Sequence, residues 1–203
     1  MSWTVADLRD AASRLKAAMA RDFDALNAAD GALGDGDLGV TLARGTAAVD
    51  DLAPTLPADL GQALLACAQA FTRTSGSSYG TLMATGLMAM AKALRGRDSV
   101  DPAETSALVA AARDAMQARG KAEIGGKTVL DSLDAVAGAT AGLSVPAQIA
   151  SAAIAAAEAA QANLRDRPAT VGRARIFGDK TIGMDDPGML AMTAIVRAIA
   201  GQG

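Results

Sequence analysis

The sequence contains no histidine and only one cysteine, Cys67, among its 203 residues. These absences exclude a Ser-His-Asp triad, a Cys-His dyad, a phosphohistidine carrier, a histidine-ligated zinc and an intrachain disulfide. Cys67 lies in the apolar run 64–68, where we expect a buried structural thiol. The chemistry left to the chain is that of carboxylates, amines, hydroxyls and the backbone.

Aromatic residues are also scarce, at 2% of the sequence, although apolar residues make up 51%. Such an alanine-rich composition favours closely packed helices, and the length predicts a single domain over residues 1–203. The net charge of −3 and the few aromatic side chains argue against a nucleic-acid partner. The N-terminal segment is charged, and the apolar runs are too short or interrupted to span a bilayer, so we expect a cytoplasmic protein with no membrane partner.

Apolar residues recur at steps of three and four from Val5 to Leu26, which predicts an amphipathic helix capped by Thr4. The same spacing and the proline and glycine punctuation predict seven more helices. They lie near residues 39–52, 59–72, 80–94, 102–118, 129–142, 146–164 and 188–200. No segment alternates with the period of a strand, so we expect an all-α fold of eight helices without a sheet.

The connections between these helices fall into two classes. Those after the second, fourth and sixth helices are short and contain ordinary turn residues, whereas the odd-numbered ones are rich in glycine and polar groups. The polar connections are residues 30–37, 72–79, 119–128 and 165–187. If consecutive helices run antiparallel, all four emerge at the same end of the bundle, which is therefore the candidate site.

The first polar connection concentrates negative charge, because Asp30, Asp35 and Asp37 lie within eight residues among several glycines. Clustered carboxylates repel one another unless a cation intervenes, and hard oxygen ligands suit magnesium or calcium. An EF-hand loop starting at Asp35 is excluded, because Val40 and Thr46 stand where that loop needs glycine and glutamate. We therefore favour magnesium held together with phosphate, with a solvated acidic turn as the alternative.

The other polar connections suggest contacts to an anion. Residues 74–81 place hydroxyls and backbone N–H groups before a helix, which is typical of phosphate binding but also of ordinary capping. Residues 125–128 resemble the end of a Walker A loop, but Lys121 stands where that loop needs glycine and no strand precedes it. A P-loop fold is therefore excluded, although a nucleotide contact there is not. The basic segment 165–187 is either a lid, with guanidinium groups over phosphates, or a disordered or solvated connection.

In this order, the four segments resemble the nucleotide-binding L subunit (DhaL) of dihydroxyacetone kinases, which is also similar to the C-terminal domain of single-chain dihydroxyacetone kinases. The landmarks are Gly34-Asp35-Gly36-Asp37-x-Gly39, Ser75-Gly76-x-x-Tyr79-Gly80-Thr81, residues 119–128, Gly172-Arg173-Ala174 and Ile182-Gly183-x-x-Asp186-Pro187-Gly188. The resemblance covers essentially the whole chain. It implies an eight-helix antiparallel barrel that holds ADP or ATP at one end through two magnesium ions.

The resemblance also implies roles for individual residues. Asp30, Asp35 and Asp37 are identified as magnesium ligands. The residues identified as nucleotide contacts are Leu38, Gly39, Val40 and Thr41 near the phosphates, Thr74 and Ser75 in the serine-glycine loop, Gly120 and Val129 near the base, and Arg173, Asp186, Pro187 and Gly188 in the closing loop. The chain departs from the family at Leu38 and Met184, where histidine is common, and at Gly126, where aspartate is common.

We therefore expect a subunit that transfers a phosphoryl group from a bound adenine nucleotide to dihydroxyacetone or another short ketose. The family presents this acceptor on a histidine of a separate K subunit. The donor is either free ATP or bound ADP that a phosphohistidine protein of the phosphotransferase system rephosphorylates. Catalysis would rest on positioning and charge neutralisation, with Arg173 as a candidate catalytic residue. The alternatives are a nucleotide-dependent regulatory module without turnover and a plain helical bundle whose glycine loops are only turns.

Overall fold

The computed structural model of the chain describes residues 2–74 and 76–202. Within them the backbone forms nine α-helices, and the expectation of an all-α fold is confirmed. The helices are α1 Val5–Arg21, α2 Phe23–Leu33, α3 Leu38–Leu52, α4 Leu60–Thr74, α5 Ser78–Ala93, α6 Thr105–Gly120, α7 Val129–Thr140, α8 Pro146–Leu164 and α9 Pro187–Ile199. Short 3-10 segments occupy Ala53–Thr55, Pro102–Glu104 and Ala174–Thr181.

The first predicted helix is in fact two helices, α1 and α2, separated by Asp22. The Asp22 N–H still donates to the carbonyl of Ala18 at 2.9 Å, and the Leu26 N–H donates to the carbonyl of Asp22 at 3.0 Å. The break is thus a bend in a nearly continuous helix, and α3 packs against both parts. Since the chain does not reverse at Asp22, the bend does not change the end at which later connections emerge. It also places Asp30 on a helix, within α2, and not in the following loop.

The expectation of no sheet is wrong at two pairs of residues. Strand β1, Trp3–Thr4, pairs antiparallel with strand β2, Ser99–Val100, with Trp3 opposite Val100. A two-residue strand is too short to show the alternation from which strands are inferred. The pairing joins the start of α1 to the connection between α5 and α6.

The helices pack in a closed ring, because each contacts its sequence neighbour and α9 returns to contact α1. Alanine and glycine allow the backbones to approach closely. At Gly61 on α4, for example, a Cβ atom would lie 2.6 Å from the Cα atom of Arg95 just beyond α5. Nowhere along residues 2–74 and 76–202 is a helix both long enough and apolar enough to cross a membrane.

Two arginines of α1 satisfy carbonyls at the end of the ring where α3 and α9 terminate. Arg9 donates to the carbonyls of Ala53 and Leu56 at 3.0 and 2.9 Å. Arg14 donates to the carbonyl of Ala198 at 3.0 Å and to the carbonyl that follows it. Two of them also accept backbone N–H groups locally, Ala53 from Leu56 and Ala198 from Gly201, and the positive guanidinium groups add a favourable charge at these helix C-termini. The opposite end of the ring is left to the four polar connections.

Candidate functional site

A cleft of about 560 Å³ opens at the end of the ring where the polar connections lie. Its lining includes residues from the α2–α3 connection, the start of α5, the α6–α7 connection and the segment 165–187. The four connections expected at one end therefore meet in a single cleft. The segment 165–187 is a structured loop with a 3-10 segment, and the alternative of a disordered connection is not what the fold contains.

Four helices begin at this cleft. The first residues of α3, α5, α7 and α9, which are Leu38, Ser78, Val129 and Pro187, all line it. The N-terminus of a helix carries a partial positive charge and N–H groups without intrahelical acceptors, and it favours an anion nearby. Four such termini around one cleft suit a ligand with several negative charges.

The three aspartates of the acidic connection come together at the mouth of the cleft. Asp30, Asp35 and Asp37 each offer a carboxylate oxygen, and these oxygens all lie within 4.8 Å of one another. The loop folds around Asp30, whose Oδ2 accepts the N–H of Asp37 at 2.9 Å. A Cβ at position 34 would lie 2.7 Å from Asp30 Oδ1, which explains the glycine found there. Three hard oxygen donors this close together fit a magnesium ion.

The surroundings of this cluster shift the pKa values of two of its carboxyl groups in opposite directions. The guanidinium of Arg173 forms an ion pair with Asp35 and lowers the pKa of that carboxyl. Burial, together with the negative charges of Asp35 and Asp30, raises the pKa of Asp37. A bound cation would remove the part of this repulsion that Arg173 does not offset.

The residues that follow Leu38 at the start of α3 lie behind the cleft lining and pack against α2. Gly39 and Val40 do not line it, and their N–H groups donate to Oδ1 of Asn27 at 2.7 and 3.2 Å. A Cβ at Gly39 would lie 2.3 Å from the carbonyl oxygen of Phe23, so α3 can approach α2 only with glycine there. Asn27 was not among the predicted site residues. The signal that could have found it is its position three residues before Asp30 on the same helix face.

The hydroxyl-rich segment before α5 contributes less directly than expected. Thr41 donates from Oγ1 to Ser77 Oγ at 3.0 Å, and Ser77 Oγ in turn accepts the N–H of Gly80 at 3.1 Å. Thr74 donates from Oγ1 to the carbonyl of Ala70 at 2.9 Å, so this hydroxyl bonds back onto α4. Thr41 and Thr74 are not in the cleft lining, whereas Ser77 is. The predicted contact Ser75 lies outside the described residues.

Other side chains give the cleft an apolar wall and a tie between two helices. Gly120 and Val129, predicted near a base, both line it. The apolar side chains beside them are Leu82, Met116, Ala122 and Leu130. Tyr79 at the start of α5 donates from its hydroxyl to the carbonyl of Gly188 at 3.2 Å, and burial raises the pKa of this phenol. This bond fixes the start of α5 against the start of α9.

Asp186, Pro187 and Gly188 line the cleft where α9 begins, and Arg173 faces them from the segment before. Asp186 caps α9 by accepting the N–H of Met189 at 2.9 Å. Burial raises the pKa of this carboxyl to about 6. Asp186 is therefore a carboxyl group outside the aspartate cluster whose ionised form is disfavoured by burial.

The three departures from the resembled family have local structural reasons. Leu38 lines the cleft and is also part of the main core, with 4% of its surface exposed. Met184 packs against a small apolar cluster that includes Leu33. At Gly126 a Cβ would lie 2.7 Å from Cγ2 of Val171, so a larger residue there would require the Val171 side chain to shift.

The sequence is similar to those of known proteins. The DAK2 domain family matches residues 32–201. The triokinase/FMN cyclase of Homo sapiens is 36% identical over 180 residues, which is 86% of this chain but 31% of that protein. The ADP-binding subunit DhaL of a PEP-dependent dihydroxyacetone kinase from Listeria innocua is 27% identical over 97% of this chain and 94% of its own length. The chain thus spans about a third of the first relative and nearly all of the second.

A solved structure shares the fold. The dihydroxyacetone kinase of C. freundii in complex with AMP-PNP and Mg²⁺ superposes with a TM-score of 0.74 and 23% identity, over all of this chain and 35% of that one. Together these matches confirm the resemblance seen in the sequence and the helical fold.

Proposed function

The chain belongs to the DAK2 domain family, and we propose that it is the nucleotide-binding, phosphoryl-transferring subunit of a short-ketose kinase, acting as one ADP- or ATP-binding domain. The observation that carries the proposal is the meeting of three carboxylates with the N-termini of four helices in one cleft. Carboxylates alone would repel a nucleotide, and helix N-termini alone would bind any anion. The combination of carboxylates and helix N-termini is suited to a polyphosphate that binds together with a divalent cation.

We assign Asp30, Asp35 and Asp37 as the ligands of two magnesium ions. Bound magnesium would supply charge neutralisation at the phosphates. The start of α3 at Leu38 and the start of α9 at Pro187 and Gly188 would then face the phosphates, and the apolar wall near Gly120 and Val129 would accommodate the base. Arg173 sits beside the cluster as the ion-pair partner of Asp35, and it is the group we assign to the transferred phosphoryl group.

The acceptor has to come from outside this chain. The sequence contains no histidine to hold a ketose covalently, so we propose a separate K subunit that presents dihydroxyacetone at the open side of the cleft. Relatives named as subunits of PEP-dependent dihydroxyacetone kinases, in Listeria innocua and Escherichia coli, support this division. They also favour a bound ADP that a phosphohistidine protein of the phosphotransferase system recharges. A protein that keeps its nucleotide through extended dialysis would agree with that donor, and rapid exchange would indicate free ATP.

Calorimetric titration with ADP tests the core of the proposal, in magnesium and again in EDTA. We expect magnesium-dependent binding by the wild-type chain and its loss in the variant carrying Asp35→Asn and Asp37→Asn. The matched control is Asp10→Asn, which removes one exposed carboxylate from α1 and should leave binding unchanged. Binding that persists in EDTA or in the double variant would refute the site, as would no binding after removal of copurified nucleotide.

A further inference from the structure

One lysine in the α6–α7 connection is almost completely buried. Lys127 has 1% of its surface exposed and a left-handed backbone, with φ of 61°. Burial of an ammonium group is costly unless its N–H groups are satisfied. Its Nζ donates to the carbonyls of Arg165, Arg167 and Thr181 at 2.9, 3.0 and 2.7 Å. An ammonium has three N–H donors, so none is left for a phosphate.

The three carbonyls mark the two ends of one loop. Arg165 and Arg167 follow the end of α8, and Thr181 lies where the chain turns back toward α9. The same neck contains two further bonds: the Gly183 N–H donates to the carbonyl of Arg165 at 2.9 Å, and the Ala169 N–H donates to Thr181 Oγ1 at 2.8 Å. Lys127 therefore holds together the ends of residues 168–180, which we name the basic loop.

The basic loop also rests on the residue before Lys127. The Thr170 N–H donates to the carbonyl of Gly126 at 3.2 Å, and the side chain of Val171 lies against the Gly126 backbone. Two residues farther on, Arg173 reaches the acidic cluster and pairs with Asp35. The position of Arg173 relative to the cleft thus depends on the contacts that the basic loop makes with residues 126 and 127.

We propose that Lys127 is a positioning residue whose buried ammonium clamps the neck of the basic loop and so places Arg173 at the carboxylate cluster. The inference rests on the proposed function of the cleft, because Arg173 matters there only if a phosphorylated ligand binds. It assigns Lys127 no contact with that ligand, unlike the lysine of a Walker A loop. Its effect on the ligand passes entirely through the arginine.

The test combines Lys127→Met with Arg173→Met. Methionine keeps most of the length of the lysine stem and removes the ammonium. We expect Lys127→Met to weaken binding of ADP with magnesium by about tenfold, the scale of one charged hydrogen-bonded contact. In the Arg173→Met background the same substitution should have no further effect, because two residues that act through one contact are not additive. A lysine that only supports the fold would weaken binding equally in both backgrounds, and that result would overturn the proposal.

Hydrogen exchange gives a readout that does not depend on nucleotide. In Lys127→Met the amides of Ala169 and Gly183 should exchange about tenfold faster, while the amides of α7 stay within about twofold of wild type. Unchanged neck amides, or acceleration throughout the chain, would refute the clamp. If wild type binds no ADP, the proposed function fails, and exchange alone decides whether Lys127 closes the loop.

Thr181→Val is the second variant, for use if Lys127→Met does not fold. It removes the hydroxyl that accepts the Ala169 N–H but leaves the ammonium and its three carbonyls in place. It should loosen the neck and weaken binding in the same Arg173-dependent way, by a smaller factor. An equal loss with and without Arg173 would again contradict the proposal.

Discussion

The acidic cluster should reduce the stability of the chain whenever no cation is bound, and Asp37→Asn tests this. Burial and the charges of Asp35 and Asp30 raise the pKa of Asp37, which means that its ionised form is disfavoured in the folded state. Asparagine keeps the size of the side chain and removes the charge. We therefore expect Asp37→Asn to stabilise the metal-free protein while it abolishes stabilisation by magnesium and ADP.

The size of the effect follows from the separation of the carboxylates. Two unit charges 4.8 Å apart repel by about 0.9 kcal/mol in a water-like dielectric and by about 3.5 kcal/mol at an effective dielectric constant of 20. Asp37 faces two such neighbours, and Arg173 offsets part of the repulsion. The net gain on removing the charge should be about 1 kcal/mol, which for a domain of this length raises the Tm by about 2–4 °C.

Thermal unfolding in EDTA measures the expected stabilisation of the metal-free variant. Unfolding with saturating magnesium and ADP measures the expected loss of its stabilisation by ligand. Ligand at a hundred times its Kd adds about 2.7 kcal/mol to the stability of the wild type, so the order of the two proteins should reverse between the conditions. Asp35→Asn is the comparison, because it also breaks the pair with Arg173 and should gain less in EDTA. A metal-free Asp37→Asn protein that melts below wild type would refute the electrostatic reasoning.

Two further predictions concern Asp186 and Gly39. The pKa of Asp186 is raised from 3.8 to about 6, so its contribution to stability is full below pH 3.8 and is lost as the pH rises through 6. Asp186→Asn keeps an oxygen for the Met189 N–H and should raise the free energy of unfolding in urea by about 3 kcal/mol at pH 8 but not at pH 3.5; an equal change at both pH values would contradict this. Gly39→Ala would press a Cβ against the carbonyl of Phe23 at 2.3 Å and should cost about 3 kcal/mol or more, seen as a lower Tm. Gly138→Ala, in α7, is its control, because a Cβ there meets none of the described residues within 4 Å; it should stabilise by about 0.5–1 kcal/mol, and a similar loss at both positions would contradict the packing argument.

Most helix boundaries follow from local signals in the sequence. Helix α8 runs over Pro146–Leu164 as predicted, because proline fixes its first turn. The bend at Asp22 was missed because apolar spacing continues through it without glycine or proline. The segment predicted as a helix from residue 102 begins as the 3-10 segment Pro102–Glu104 before α6. Its capping signal is the same for both kinds of helix.

The site was predictable where its chemistry is local in sequence. Asp30, Asp35 and Asp37 meet because all three lie within one glycine-rich stretch of eight residues, 30–37. The role of Lys127 was not predictable, because it depends on burial and on carbonyls up to 54 residues away. The tie between Tyr79 and Gly188 spans 109 residues and arises only from ring closure.

Ring closure also determines where further polypeptide could be attached. Helix α9 begins at the cleft and α1 packs beside it, with Arg14 donating to the carbonyl of Ala198 near the end of α9. The start of α1 and the end of α9 are therefore neighbours on the face of the ring away from the cleft. A domain fused to either terminus would leave the mouth of the cleft open, and a short linker between the two termini would allow circular permutation at the turns of that face. We expect that the ring could be joined to further polypeptide in this way without a change at its binding end.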